Sequence, residues 1–247
     1  MAAVVRHGLL LVLVVGLAAC GGSSSPAAGL GSKPTTEHGT ARFTLAVAAT
    51  VGGSRIVANE TGTVSFTDRR AHFYKLVPGG GLPQEIVLSG PFTYANANVD
   101  AALNDPSVKP WTKLDTRRLS PQQVREHPDE LAHVRAIAYL ADGVAKPTRV
   151  GAATVDGTKT TRFRATVDPR KVVAGTPRVA GAIRDDYPAR PFPADFWVDA
   201  DGRLRRVLVS YSTPKGTRIT LDGGFSDFGT EIDLTVPPAE DIQDITP

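Results

Sequence analysis

The side chains able to do chemistry are few and widely spaced. The chain of 247 residues holds one cysteine, Cys20, and five histidines: His7, His38, His72, His127 and His133. A hydrolytic site needs a nucleophile within reach of a base, and a zinc site needs several His, Cys, Asp or Glu side chains converging on one point. His127 and His133 stand six apart, which puts them on different faces of any helix. No Cys-x-x-Cys, His-Glu-x-x-His, Gly-x-Ser-x-Gly, Walker loop or dinucleotide glycine fingerprint occurs. Asp199, Asp201 and Gly202 match the start of a calcium loop but lack its third acidic position and distal Glu, so a hairpin turn is the better reading. Asp185-Asp186 is the kind of adjacent pair that marks a solvated loop. The expectation is a chain without catalytic residues, metal or cofactor, and not an enzyme.

The reactive group with a distinctive setting is the Cys20 thiol. Arg6 and His7 precede an apolar run from Gly8 to Ala19, twelve residues that reach about 18 Å as a helix against a hydrocarbon core of roughly 30 Å. Residues 1–19 therefore read as a cleavable signal peptide. Leu17-Ala18-Ala19-Cys20 resembles the lipobox of bacterial lipoproteins. That resemblance implies a diacylglycerol thioether on Cys20, cleavage just before it, and an anchor at the outer face of the cytoplasmic membrane. A lone thiol cannot form a disulfide within the chain, and two acyl chains hold a membrane stably where one does so only marginally.

Residues 20–38 are rich in Gly, Ser and Pro with almost nothing to bury, and read as a flexible tether. Residues 39–247 form a stretch long enough for one domain with a sizeable core. The formal charge of +3 falls to about +2 once Arg6 is removed. That is too mild to imply nucleic acid and permits weak attraction to anionic headgroups.

Alternation of period two organises this domain, beginning with Phe43, Leu45 and Val47 on one face of a strand. Comparable runs are 55–58, 62–67, 71–77, 84–88, 92–95, 149–155, 160–167, 194–198, 204–212, 217–225 and 231–236. Asp156-Gly157 and Asp201-Gly202 predict antiparallel hairpins with type I′ turns, and Pro78 to Gly81 another chain reversal. The clearest helix runs from Pro128 to Ala141, with Leu131, Val134, Ile137, Ala138 and Ala141 as its apolar stripe. A weaker helix is expected from Pro121 to Arg125 and a helical turn near Val99 to Leu103. Trp111 and Trp197 read as core side chains.

Several segments taken together carry a family resemblance: Ser89-Gly-Pro-Phe-Thr-Tyr94, Lys109 to Asp115, Val150 to Arg164, Phe196 to Arg206, and Phe225 to Pro238. In order and content they resemble the actinobacterial LppX/LprG lipoproteins and, more remotely, the LolA/LolB carriers. The resemblance implies an α+β fold: a single curved antiparallel β-sheet, an incomplete β-barrel, with helices covering its concave side. It also implies an apolar cavity that holds or shuttles an acyl lipid or lipoglycan. Within that frame Phe43, Leu45, Val47, Val134, Ile137 and Ala138 are the candidate cavity residues. The alternative is a non-catalytic envelope scaffold or sensor of the same fold, with a filled core and a protein partner. A packed core and a cavity wall use the same side chains, so sequence alone leaves the two open.

Overall fold

The computed structural model describes residues 30–51, 53–76, 82–120, 122–123, 132–175, 187–212 and 216–247. Two runs of neighbouring strands dominate them. The first is β1 (Thr40–Val51), β2 (Ser54–Ser65), β3 (Arg70–Leu76), β4 (Gln84–Ser89), β5 (Phe92–Ala95) and β6 (Trp111–Asp115). The second is β7 (Val144–Val155), β8 (Thr158–Val167), β9 (Phe192–Val198), β10 (Leu204–Ser212) and β11 (Arg218–Ser226). Each run is a meander of antiparallel neighbours, and β11 closes against β1 to make one sheet. A short β12 (Ile242–Asp244) adds to the outer side of β6 in parallel. The order is β12-β6-β5-β4-β3-β2-β1-β11-β10-β9-β8-β7; among the described residues β12 and β7 are the two edges and do not pair with each other, so the sheet is open. Register shifts in β7 and at the start of β10 add local twist, as β-bulges do.

Among the described residues helices are few and short: α1 (Lys33–Thr36), α2 (Val99–Asn104), α3 (Ala132–Tyr139) and α4 (Pro169–Gly175), with a 3₁₀ turn continuing α3 through residues 140–143. The expected helix from Pro128 to Ala141 is thus met by α3 and its extension, its first four residues lying outside the described ones. Gln122 and Gln123 are helical, the rest of that expected helix lies outside the described residues, and α2 stands where a helical turn was expected.

Three expectations need correcting, and two strands were not expected at all. The alternating run 231–236 joins no ladder; Ile232 and Leu234 are partly buried and their neighbours exposed, so the alternation reports one covered side. Strands β6 and β12 carried no clear alternation and arise from tertiary pairing. Helix α1 falls inside the expected tether and is docked: Ser32 donates from its backbone N and Oγ to Asp142, and the buried Thr35 Oγ1 accepts from Leu204 N at 2.8 Å. Finally, Asp156 and Gly157 both take positive φ, as a type I′ turn requires, whereas at the other hairpin only Gly202 does. There the Asp199 carboxylate accepts from the backbone N of Asp201 and Arg203 and organises a longer loop.

Directly paired residues in an antiparallel sheet share a face. One face, called inner here, therefore carries Phe43, Gly62, Phe73 and Ile86 in one cross-strand row, with Phe225 on the far side of β1. Parallel rows add Val207, Phe196 and Phe163. All of these apolar side chains are buried in a single cluster with Val134, Ala136, Ile137, Ala138, Leu140 and Ala141 from α3 and its extension. The core lies between the inner face and α3.

Candidate functional site

The site implied by the apolar pattern lies along this inner face. Burial there changes from end to end of the strands. At the β2–β3 end, Ala41, Val64, Ala71 and Leu88 are fully buried. Moving along β1, Phe43 and Leu45 are still enclosed, Val47 is partly buried, and Ala49 is half-buried with Ile219 beside it. Ile56, paired with Ala49, is 52% exposed. The apolar face thus continues past the point where its cover stops. On the β8–β10 side of that open row the cover is aromatic: Tyr187, Phe192 and Tyr211 meet with ring centroids 5.6 to 5.8 Å apart.

The six candidate residues converge on one place. Phe43, Leu45, Val134, Ile137 and Ala138 are buried within the core cluster, and Val47 packs at its edge. The centre is in direct contact. A Cβ built on Gly223, the β11 partner of Leu45, would lie 3.0 Å from Ile137 Cδ1 and 3.4 Å from Leu45 Cδ1. A larger residue at 223 would press on the Ile137 and Leu45 side chains, which would have to shift. Gly62 does similar work between Phe43 and Phe73, whose rings meet at 5.9 Å across it. Arg135 pins the helix from its other side, its buried guanidinium donating through Nε to Ser65 O at 2.9 Å and through Nη2 to Asp68 O.

Sequence reasoning passed over two inner-face residues. Glu60 pairs directly with Leu45 on one side and Lys75 on the other, is buried, and lies 3.6 Å from Lys75 Nζ. Nothing in Val57-Ala-Asn-Glu-Thr61 says which face Glu60 takes; register alone decides it. At the same end, a hollow of about 270 Å³ is lined by Lys75, Gln84, Asn96, Val99 and Asp100 among others.

The outer face has a different chemistry. Trp197 is buried there, with Arg162 and Arg206 guanidinia 5.1 and 4.9 Å from its ring. It is a core-like side chain, but on the face opposite the core cluster. Those arginines bind Asp195 and Asp222 respectively. Burial works against ionisation of Asp195, but hydrogen bonds from Arg162 and Arg164 outweigh it and hold the carboxyl below its usual range. Asp199, at 4% side-chain exposure, shows the same balance: desolvation opposes the charge, and the backbone N of Arg203 with the Arg205 and Arg203 side chains more than restores it. That carboxylate accepts from the Arg203 and Arg205 side chains and from the backbone N of Asp201 and Arg203. His72 Nε2 sits 2.8 Å from Glu85 Oε1, and Trp111 is half-buried on β6. His38 stacks obliquely near Phe228 at 5.9 Å. His127, Asp185, Asp186, Pro78 to Gly81 and Cys20 lie outside the described residues. Among the described residues no group of three or more His, Cys, Asp or Glu could hold a metal ion, and no helix is long and apolar enough to cross a membrane.

No family model and no curated protein matches the chain. Solved structures do. The lipoprotein LppX of Mycobacterium tuberculosis matches with a TM-score of 0.51 at 13% identity, over 86% of this chain and 100% of its own. LprF of Mycobacterium bovis matches with a TM-score of 0.48 at 15% identity, over 85% and 95%. A LolA superfamily protein of Nitrosomonas europaea lies further off, with a TM-score of 0.28 at 12% identity. The domain has the open, curved-sheet fold of LppX, as the resemblance of its sequence implied.

Proposed function

We propose that the chain is an exported lipoprotein, held at the outer face of the cytoplasmic membrane by diacylglycerol on Cys20, whose domain binds or shuttles a lipid or lipidated molecule along its inner face. The observation that carries the lipid-binding part is the gradient along that face, from sealed at the β2–β3 end to half-buried and exposed apolar residues at Val47, Ala49, Ile56 and Ile219. An acyl chain supplies the apolar cover that this row lacks. At about 0.8 kcal/mol per buried methylene, a chain of about sixteen carbons offers on the order of 10 kcal/mol before ordering costs. Such a ligand needs shape and apolarity rather than a charged motif, which fits the absence of one from the sequence. The fold shared with LppX, a lipoprotein, supports the same reading.

A second reading keeps the anchor and the fold but fills the core and gives the domain a protein partner, as scaffold or sensor. The close approach of Ile137 to Leu45 and Gly223 favours it at the centre of the sheet. Native mass spectrometry with organic extraction, on protein purified from an actinobacterial host, separates the two. Acyl lipid at a defined stoichiometry is expected; an empty protein that also refuses added lipid would sink the carrier. Cys20→Ser is expected to release the protein into the medium, and a variant that stays on the membrane would overturn the anchor.

A further inference from the structure

The open end of the inner face has a second property, its outer surface. Among the described residues, four exposed large apolar side chains gather at this end: Ile56 on β2, Leu76 at the end of β3, Leu82 ahead of β4 and Leu103 on α2. The β1–β2 hairpin projects there. Residues 59–64 of β2 pair with β3, while 54–58 have ladder partners on β1 alone among the described residues. Ile56 therefore stands out beyond the end of β3.

On the β1, β2 and β11 part of this end the exposed charges among the described residues are positive. Arg55 and Arg218 flank Thr50 from the two neighbouring strands, and both are exposed. Arg190, also exposed, stands two residues ahead of β9 at the same end. None of the three has an acidic partner among the described residues. The acids at this end lie mainly away from these arginines: Asp100 on α2 and Asp105 just after it, Glu240 and Asp241 ahead of β12, Asp168 bound by Arg170, and Glu60 bound by Lys75. At the opposite end arginines are consumed internally, Arg203 and Arg205 by Asp199, Arg42 by Asp227 and Arg70 by Asp68. Exposed aliphatic residues beside unpaired arginines complement an anionic bilayer surface, where the cations meet headgroups and the aliphatic side chains enter the acyl boundary.

We propose that this end of the sheet, led by Ile56, Leu82, Arg55 and Arg218, docks on an anionic lipid bilayer. The anchor permits it. The docked chain begins at Ser32, beside the start of β10, and β10 rises about 23 Å from Leu204 to Tyr211 near the proposed docking end. The twelve residues from Cys20 to Ser32 span at most about 40 Å. The domain can thus turn its open end to the bilayer that anchors it. The docking surface shares Ile56 with the proposed lipid row, whereas Arg55, Arg218 and Leu82 lie outside that row, so the charge-reversal arm of the test reads docking separately from lipid uptake.

The test uses the full protein with its anchor, on vesicles of phosphatidylcholine alone or with one part in three of phosphatidylglycerol. A polarity-sensitive fluorophore is attached through Ile56→Cys or, at the opposite end, Thr67→Cys. On anionic vesicles the label at 56 is expected to shift to the blue and to be quenched by spin-labelled lipid at least fivefold more than the label at 67. Arg55→Glu with Arg218→Glu should abolish that difference while the protein still floats with the vesicles. Flotation with both compositions but equal quenching at 56 and 67, or stronger quenching at 67, refutes the docking and leaves the anchor standing. Flotation with anionic vesicles alone, with the label at 56 quenched, supports the docking and refutes the anchor. Flotation with neither refutes both.

Discussion

Phe73 on the inner face and Trp197 on the outer face are both buried aromatic side chains, yet their neighbours have little in common. Phe73 meets Phe43, Gly62 and Ile86, and its row holds together by excluding water. Trp197 lies between two guanidinia that are themselves bound to Asp195 and Asp222. One face is thus stabilised by apolar area and close packing, and responds to changes of volume. The other is stabilised by partly exposed ion pairs, and responds to salt and pH. A ligand that adds apolar area belongs to the first.

The largest effect that would break this contrast is at the inner face. Phe73→Ala is expected to cost about 4 kcal/mol in urea unfolding, since it removes a ring with no exposure and leaves a cavity between Gly62 and Ile86. A loss below about 1 kcal/mol would mean the inner face is loosely filled.

Next comes Asp199, which belongs to the ionic chemistry but is enclosed. Asp199→Asn leaves Arg203 and Arg205 without their counter-charge and should cost about 3 kcal/mol near neutral pH. Its folded carboxyl titrates below the unfolded one, so the unfolded state binds more protons as acid is added. The stabilisation is therefore present above the unfolded value near 3.8 and lost as pH falls through the lower folded value. Wild type and variant should converge in unfolding curves taken at progressively lower pH below that point, and a constant gap would contradict the assignment.

Gly223→Ala sharpens the comparison inside the core. The new methyl meets Ile137 and Leu45 at 3.0 and 3.4 Å, and a cost of about 1 kcal/mol is expected if their side chains shift. Retained stability with stronger lipid uptake would instead show that α3 lifts readily. Smallest is Asp222→Asn, whose partner Arg206 is 41% exposed: less than about 1 kcal/mol, further reduced by added salt.

Much of the sheet was legible in the sequence because most strands have one apolar and one polar side. Phe43, Leu45 and Val47 announce β1, and Asp156-Gly157 places the β7–β8 turn. Trp111 to Asp115 and Ile242 to Asp244 do not, since each is held by a neighbour far along the chain. Residues 231–236 show the converse, alternation that reports a covered side without a ladder. Lys33-Pro-Thr-Thr36 reads as tether until Thr35 meets Leu204 N. The candidate residues were visible as apolar, but their role was not: Ile137 looks the same as cavity wall and as plug, and Glu60 acquires its face only through register.

The most direct test of lipid binding is photo-crosslinking of a diazirine-bearing C16 fatty acid to the intact protein, followed by peptide mapping. Labels are expected on the inner-face row of Val47, Ala49, Ile56 and Ile219, on strands β1, β2 and β11. Labelling confined to outer-face residues such as Thr44, Asn59 and Arg206, or none above a non-photolysed control, would contradict the inner face as a lipid site.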